Sequence, residues 1–394
     1  MNRTFHLNTA HFPKELTLLL ELLQECDETE ISENMKDKLP DMDWDRFLEL
    51  VRHHRVYPLI YLKLKNVDKE LIPAQVLQNL HSDYIRNTFQ MLHLSGEMET
   101  ICKIFNENGI RTLMLKGPVL AEALYGDISL RTSRDLDILI HVADIEKSEE
   151  ILKNCGYKLK DEFPRILGDW KWRTHHINYF HPQKKIEIEL HWRLKLGIGN
   201  EPDFKELWER KVRSSLTSEP VYFLGEEDLF LFLTSHGARH AWSRLRWLVD
   251  IDRLVRKGLR WEVICFLLKK HQNLHIAGQS LLLASELLQT PLTQSKKLLT
   301  FNRHAFQIAQ QSIFFIKEKA DLFPTPPKYL AGRLNRYFIS LMPLSQKYKY
   351  YISILHPTSY DAELLPLPKS LHFIYFPLRP FLWFWRQMKH RTHA

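Results

Sequence analysis

The sequence lacks most of the features that classify a chain at sight. It has four cysteines, Cys26, Cys102, Cys155 and Cys265, scattered and without a CxxC pair. That spacing excludes a cysteine-based zinc site and implies no disulfide framework. No apolar run reaches the roughly 20 residues of a membrane-spanning helix. The N-terminus, MNRTFHLNTAHFPKE, has no apolar core of the kind a secretory signal carries. There is no internal repeat and no low-complexity tract, and a cytoplasmic protein is the expectation. His236 and His240 are four apart, a zinc-ligand spacing, but no HExxH glutamate lies between them. His53-His54 is also a poor metal pair, because adjacent helical residues point about 100° apart; a surface or interlobe role is expected there. The chain does have an ordinary hydrophobic fraction of 44% over 394 residues, enough for two or three domains. Its net charge of +8 suits a phosphate-bearing substrate, a nucleic acid or an anionic membrane surface.

The stretch from Arg111 to Val142, RTLMLKGPVLAEALYGDISLRTSRDLDILIHV, organises the rest. Leu113-Met114-Leu115 reads as a buried strand. Lys116-Gly117-Pro118 breaks it, and Pro118 suits the first turn of a helix with Val119, Leu120, Ala123 and Leu124 on its apolar face. After Gly126-Asp127 comes a polar loop with Arg131, Ser133 and Arg134, then Asp135-Leu136-Asp137-Ile138-Leu139-Ile140. Residues two apart on a strand share a face, so Asp135 and Asp137 project together. Two such carboxylates are costly side by side unless a cation sits between them. Magnesium, with oxygen ligands and room for substrate phosphates, is the expected one. Lys116, Arg131 and Arg134 add donors for phosphate, and the backbone after Gly117 offers N–H groups at a helix N-terminus.

A second patterned stretch lies downstream. Thr174–His181 and Lys185–Trp192 read as strands around a Pro182-Gln183 turn. In the second, Ile186, Ile188 and Leu190 alternate with Glu187, Glu189 and His191. One face is dry; the other carries two acids and an imidazole.

Leu115-Lys116-Gly117, Tyr125, Arg131, Asp135 and Asp137 together resemble the signature of the polymerase-β-like nucleotidyltransferases, in particular a bacterial branch of uncharacterised nucleotidyltransferases. The Gly-Ser or Gly-Gly pair of the wider superfamily is Gly117-Pro118 here, and the interval to Asp135 is longer. The resemblance implies an α+β fold, a small mixed sheet flanked by helical regions. It implies transfer of a nucleoside monophosphate from an NTP, ATP first among them, to an acceptor, with release of pyrophosphate. It makes Asp135, Asp137 and Glu189 the catalytic and Mg2+-binding acids, with Glu187 as the alternative third carboxylate. Lys116, Gly117, Arg131 and Ser133 would hold the nucleotide, and the helix carrying His236 and Arg239 would line its cleft. A sugar, an aminoglycoside-like molecule, a peptide or protein side chain, or an RNA end would all serve as acceptor.

Around this core the expected organisation is a helical lobe over 1–110, the nucleotidyltransferase core over 111–224 and a helical region over 225–394. One helix is expected from Asp43 to Lys65, kinked at Pro58, and a long one from Pro73 to Asn108. Leu229–Gly258 should form a helix or helix pair. The end of the chain, LHFIYFPLRPFLWFWRQMKHR, interleaves aromatic and basic residues. Pro377 and Pro380 argue against a continuous helix there, so the segment is expected to pack on the core. Peripheral membrane contact is the next expectation, because Trp383, Trp385, Arg386, Lys389 and Arg391 suit the headgroup zone. Nucleic-acid binding has no recognised module to support it. Two other classes compete with the enzyme reading. One is a non-catalytic interaction protein on the same scaffold. The other is a metal-dependent hydrolase using His175, His176, His191 and Asp135.

Overall fold

The computed structural model describes residues 6–25, 41–68, 70–160, 162–195, 199–293, 302–319, 322 and 326–392, the side chains of 387 and 389–392 excepted. Cys26, Pro324 and the side chains of Lys389 and Arg391 therefore lie outside the described residues. The fold is α+β: helices flank one seven-stranded mixed sheet. Its strands are β1 (Thr112–Met114), β2 (Asp135–Ile140), β3 (Lys158–Leu159), β4 (His176–His181), β5 (Ile186–His191), β6 (Val212–Arg213) and β7 (Tyr222–Phe223). The spatial order is β3-β4-β5-β2-β1-β7-β6. Strand β2 runs antiparallel to β1 and parallel to β5.

Strand alternation sends the two faces of the sheet to different cores. Leu136, Ile138 and Ile140 of β2 and Ile186, Ile188 and Leu190 of β5 pack with Met91, Leu94, Met98, Ile101 and Phe105 of the long helix Ala74–Glu107. Leu139 lies on the opposite face, with Leu113 and Leu115. These three join a second core shared with Phe47 and Val51 from the N-terminal helices and with Phe230, Trp242 and Leu248 from the C-terminal ones. The acids of β2 and β5 thus share the face that the flanking helices cover. Burying one such leucine is worth ~1.5–3 kcal/mol, so the helices are held firmly against that face.

The expected helix from Asp43 to Lys65 is two helices, Trp44–His53 and Tyr57–Leu64. Asp43 caps the first, accepting from the Arg46 N–H at 2.9 Å. The break falls at Arg55, whose φ of 56° is left-handed, and Pro58 sits in the first turn of the second helix rather than kinking a continuous one. The break serves a seam. The Arg246 N–H donates to the His54 carbonyl at 3.2 Å, the Leu245 N–H donates to His54 Nδ1 at 3.2 Å, and His53 Nε2 lies 3.0 Å from the Ser243 carbonyl. The histidine pair ties helix Trp44–His53 to the start of helix Leu245–Lys257. Burial pushes His54 well below the ordinary imidazole range, so it stays a neutral acceptor.

Leu229–Gly258 is a helix pair, Glu226–Arg239 and Leu245–Lys257. Between them Trp242 folds back over Gly237. A Cβ at 237 would stand 2.4 Å from the indole ring, so only glycine fits there. The tail departs from expectation. Tyr375–Thr392 is one helix with Pro380 inside it and Pro377 in its first turn, where a missing N–H costs nothing. No described helix is long and apolar enough to cross a membrane.

Candidate active site

Register brings the acids together. Asp137 pairs with Glu189 across β2 and β5, and Asp135 pairs with Glu187. Parallel partners at one register point the same way, so Asp137 and Glu189 converge. His191 follows two residues after Glu189 on the same face. Its Nε2–H donates to Asp137 Oδ1 and to Glu189 Oε2, 3.2 Å each. Lys116 arrives from the other side. Strand β1 ends beside β2, the Leu115 N–H donates to the Asp137 carbonyl at 3.0 Å, and Lys116 Nζ lies 2.7 Å from Asp137 Oδ1. Asp137 is fully buried, and its Oδ2 has no hydrogen-bond partner. Buried carboxylate oxygens without a partner are rare. This one points to a cation or donor absent from the protein itself.

The electrostatics fit a cation site. Burial alone would raise the Glu189 carboxyl, but the hydrogen bond from His191 and the charge of Lys116 outweigh it and hold it below the usual carboxylate range. Burial would lower His191, but the hydrogen bonds to Asp137 and Glu189 outweigh that and raise it. Glu189 therefore sits ionised, with the charge of Lys116 drawn against it. One ligand atom each from Asp137, Glu189 and His191 lies within 4.8 Å of the others, close enough for a single ion once His191 Nε2 has lost its proton. Glu187 is placed differently. Its two oxygens accept from Lys160 Nζ at 2.8 and 2.9 Å, which leaves it paired away from this group.

The remaining expected residues divide. Gly117 turns the chain from β1 into helix Pro118–Tyr125 with a φ of 84°, a conformation that favours glycine. Ser133 Oγ lies 3.2 Å from the Asp135 carbonyl and 3.4 Å from Asp135 Oδ1; Asp135 itself is half-buried at the start of β2. His236 stands one turn before His240 and beside Phe232 and Trp247. Burial, then the charge of Lys116, keeps it neutral.

Arg131 is engaged in an ion pair. It is 1% exposed, and Nε and Nη2 both donate to Asp250, 2.9 Å each. The Tyr125 hydroxyl donates to the same carboxylate at 2.8 Å. Two signature residues, Tyr125 and Arg131, thus meet on one aspartate of helix Leu245–Lys257. They tie the loop before β2 to the C-terminal helices. Asn87 Nδ2 holds the same loop from the long helix, donating to the Ser129 carbonyl at 2.7 Å.

Further groups gather at the site, and of these Arg55, Arg244 and Arg246 were not singled out by sequence. Arg239 Nη1 donates to His175 Nε2 at 2.6 Å. Its charge faces Glu189 and Asp137. Arg55 and Arg246 gather near Asp135 with Arg134 and Arg244. Burial and then these like charges depress the Arg55 guanidinium, while Asp135 opposes them. Arg246 also donates to the Thr132 carbonyl and lies 3.1 Å from Thr132 Oγ1, while its buried Nε has no partner. Crowded guanidinium groups of this kind are relieved by an anion.

His175, His176 and His191 form a second group of ligand atoms within 4.8 Å. His176 is lowered to about 4 by burial and by His191. No curated protein matches the chain. A family model described as uncharacterised nucleotidyltransferase matches residues 40–289, well over half the chain and every strand of the sheet, and the chain belongs to that family.

Proposed function

We propose that the protein transfers a nucleoside monophosphate from an NTP, ATP first, to an acceptor with release of pyrophosphate, on a polymerase-β-like site. The observation that carries this reading is the convergence of Asp137, Glu189 and Lys116 at one register of β2 and β5, with an unpartnered oxygen on Asp137. Asp135, Asp137 and Glu189 would hold magnesium, whose oxygen preference they satisfy. When bound, magnesium neutralises triphosphate charge and lowers the pKa of an acceptor hydroxyl.

The chain's own groups account for the rest. Lys116 and the backbone after Gly117 would steady the phosphates, with Ser133 orienting Asp135. Arg55, Arg134 and Arg246 would draw the triphosphate and hold the departing pyrophosphate as charge builds on it. His236 and Arg239 would line the cleft. Arg131 acts at one remove, by fixing the loop that carries Ser133. The acceptor oxygen forms its bond to the α-phosphorus and gives up its proton to water, while the bond from that phosphorus to the bridging oxygen of the departing pyrophosphate breaks. A carboxylate held below the usual range is a weak proton acceptor near neutral pH, so the surroundings of Glu189 favour ligation over base catalysis. The three-part organisation of lobe, core and C-terminal helices would then serve to enclose the site.

A second reading, the metal hydrolase, draws on the cluster of His175, His176 and His191. It is the weaker one, because His175 Nε2 already accepts from Arg239.

Calorimetry with ATP and GTP, with and without magnesium, tests the reading together with pyrophosphate release. Magnesium-dependent nucleotide binding is expected. Glu189→Gln should keep that binding and lose ~10²–10³-fold in rate, since its interaction counts most in the transition state. Glu187→Gln, already paired to Lys160, should stay within about threefold. Tight zinc binding with no nucleotide affinity would favour the hydrolase instead.

A further inference from the structure

Apolar residues at helical spacing normally turn toward a core. Two helices near the C-terminus do the reverse. On helix Leu344–Leu355, the residues Leu344, Tyr348, Tyr351, Ile352 and Leu355 recur at the spacing of one helical face. That face is outward: Leu344 is 84% exposed, Tyr348 70% and Leu355 64%, while the residue the helix buries is Ser353. On helix Tyr375–Thr392, Phe381, Phe384, Trp385 and Met388 repeat the pattern, each half exposed or more. Eighteen of the twenty-five exposed large apolar side chains among the described residues fall between Tyr329 and Met388. A concentration of this kind marks an interaction surface rather than ordinary scatter.

The segment is firmly held from behind. Tyr375 and Leu382 pack with Ala362 in a small core of their own. Arg379 donates to Asp361 at 2.9 Å and to the Ile354 carbonyl at 3.3 Å. Arg173, from the short helix Trp170–Arg173, donates to the carbonyls of Ser353 and His356 at 2.7 and 2.9 Å. The outward faces belong to an anchored structure.

Charge indicates what covers it. From Leu341 to Thr392 the sequence has seven lysines and arginines against two acids, Asp361 and Glu363. Asp361 is buried against Arg379 and Arg386, which leaves Glu363 as the one exposed carboxylate among the described residues of this segment. A second copy would bring two basic faces together, which like-charge repulsion opposes. A phosphate-rich lipid surface offers both a complement to the charge and an apolar layer for the rings.

We propose that these two helices dock the protein on an anionic membrane surface. The aromatic side chains enter the boundary between headgroups and acyl chains, and Lys347 and Lys349 meet lipid phosphates. Neither helix is long and apolar enough to cross the bilayer, so contact is interfacial.

The test uses the full chain and sedimentation with vesicles of phosphatidylcholine alone or mixed with phosphatidylglycerol. Binding to the mixed vesicles, stronger than to the neutral ones, is expected. Phe381→Gln with Phe384→Gln and Trp385→Gln should raise the lipid needed for half-binding at least ~10-fold, with melting temperature unchanged. Lys347→Glu with Lys349→Glu should weaken binding to the mixed vesicles alone, and it remains informative if the aromatic variant does not fold. Wild-type protein that stays in solution with mixed vesicles overturns the proposal. So does unchanged binding by both variants, or a wild-type dimer that the aromatic variant converts to monomer without any vesicle binding.

Discussion

Two aspartates, Asp250 and Asp137, are both fully buried, and both meet cations. Their surroundings differ in one respect. Both oxygens of Asp250 are matched, by the planar fork of Arg131 and by the Tyr125 hydroxyl. Asp137 receives Lys116 and His191 on one oxygen and nothing on the other. Arg131 cannot give up its proton, whereas lysine and histidine can. The carboxylate of the first arrangement is closed and serves the fold, while Nη1 of its arginine is buried without a partner. The second is open on one side and made of groups that adjust, as a site that must exchange its ligands requires.

The sharpest break between them is in activity. Asp137→Asn should reduce pyrophosphate release at least ~10³-fold, the scale of losing one member of a catalytic unit. It should also abolish magnesium-dependent nucleotide binding. Its melting temperature should fall less than that of an Asp250 variant. Lys116 still faces Glu189, and His191 can shed its proton. A steady-state assay and a thermal melt on the same preparation check both halves. An Asp137→Asn protein that keeps its turnover removes the acid from the mechanism.

Asp250→Asn should do the opposite. Removing one partner of a buried, hydrogen-bonded ion pair typically costs ~3–5 kcal/mol, here by leaving the Arg131 charge without its match. Urea unfolding should show a loss on that scale. Nucleotide binding per folded molecule should weaken, since the loop before β2 loses its tie to helix Leu245–Lys257. A variant as stable as wild type would show that the pair is dispensable to the fold.

This contrast also marks where the sequence is readable. Lys116, Asp135, Asp137 and Glu189 sit in short patterns, strand alternation and a strand–glycine–helix turn, that local rules decode, although the choice of Glu189 over Glu187 came from the resemblance. The two-core sheet follows from the same alternation. Arg131 carries the same signature as its neighbours, yet its partner lies 119 residues on, and nothing local selects Asp250 over solvent phosphate. The break at Arg55 is equally remote in origin, because its left-handed turn serves contacts with Ser243–Arg246. Strands β6 and β7, two residues each, are too short for any period to register. The tail helix was missed for a different reason. Pro377 lies in its first turn, where proline is tolerated, while Pro380 sits within it.

The smallest effect is a slope against pH. Burial, with nearby positive charge, holds His54, His175, His236 and His240 well below the ordinary value of 6.5. Below that value the unfolded chain takes up protons that these folded histidines refuse. Their contribution is present above pH 6.5 and declines as pH falls through it, by at most ~1.4 kcal/mol per unit for each group. His191 has the other sign. Its raised pKa gives stability that is full below 6.5 and is lost as pH rises through the folded value. In Asp137→Asn the carboxylate that raises His191 most is gone, so His191 should move toward the other group. The metal-free variant should then lose stability between pH 6.5 and 5.5 more steeply than wild type, by up to ~1.4 kcal/mol per unit. It should also lack part of the wild-type decline above 6.5. Urea midpoints at pH 5.5, 6.5 and 7.5 measure both limbs. Identical slopes in the two proteins would mean that His191 carries no extra proton on account of Asp137, and that the cation drawn to the open carboxylate is Lys116 alone.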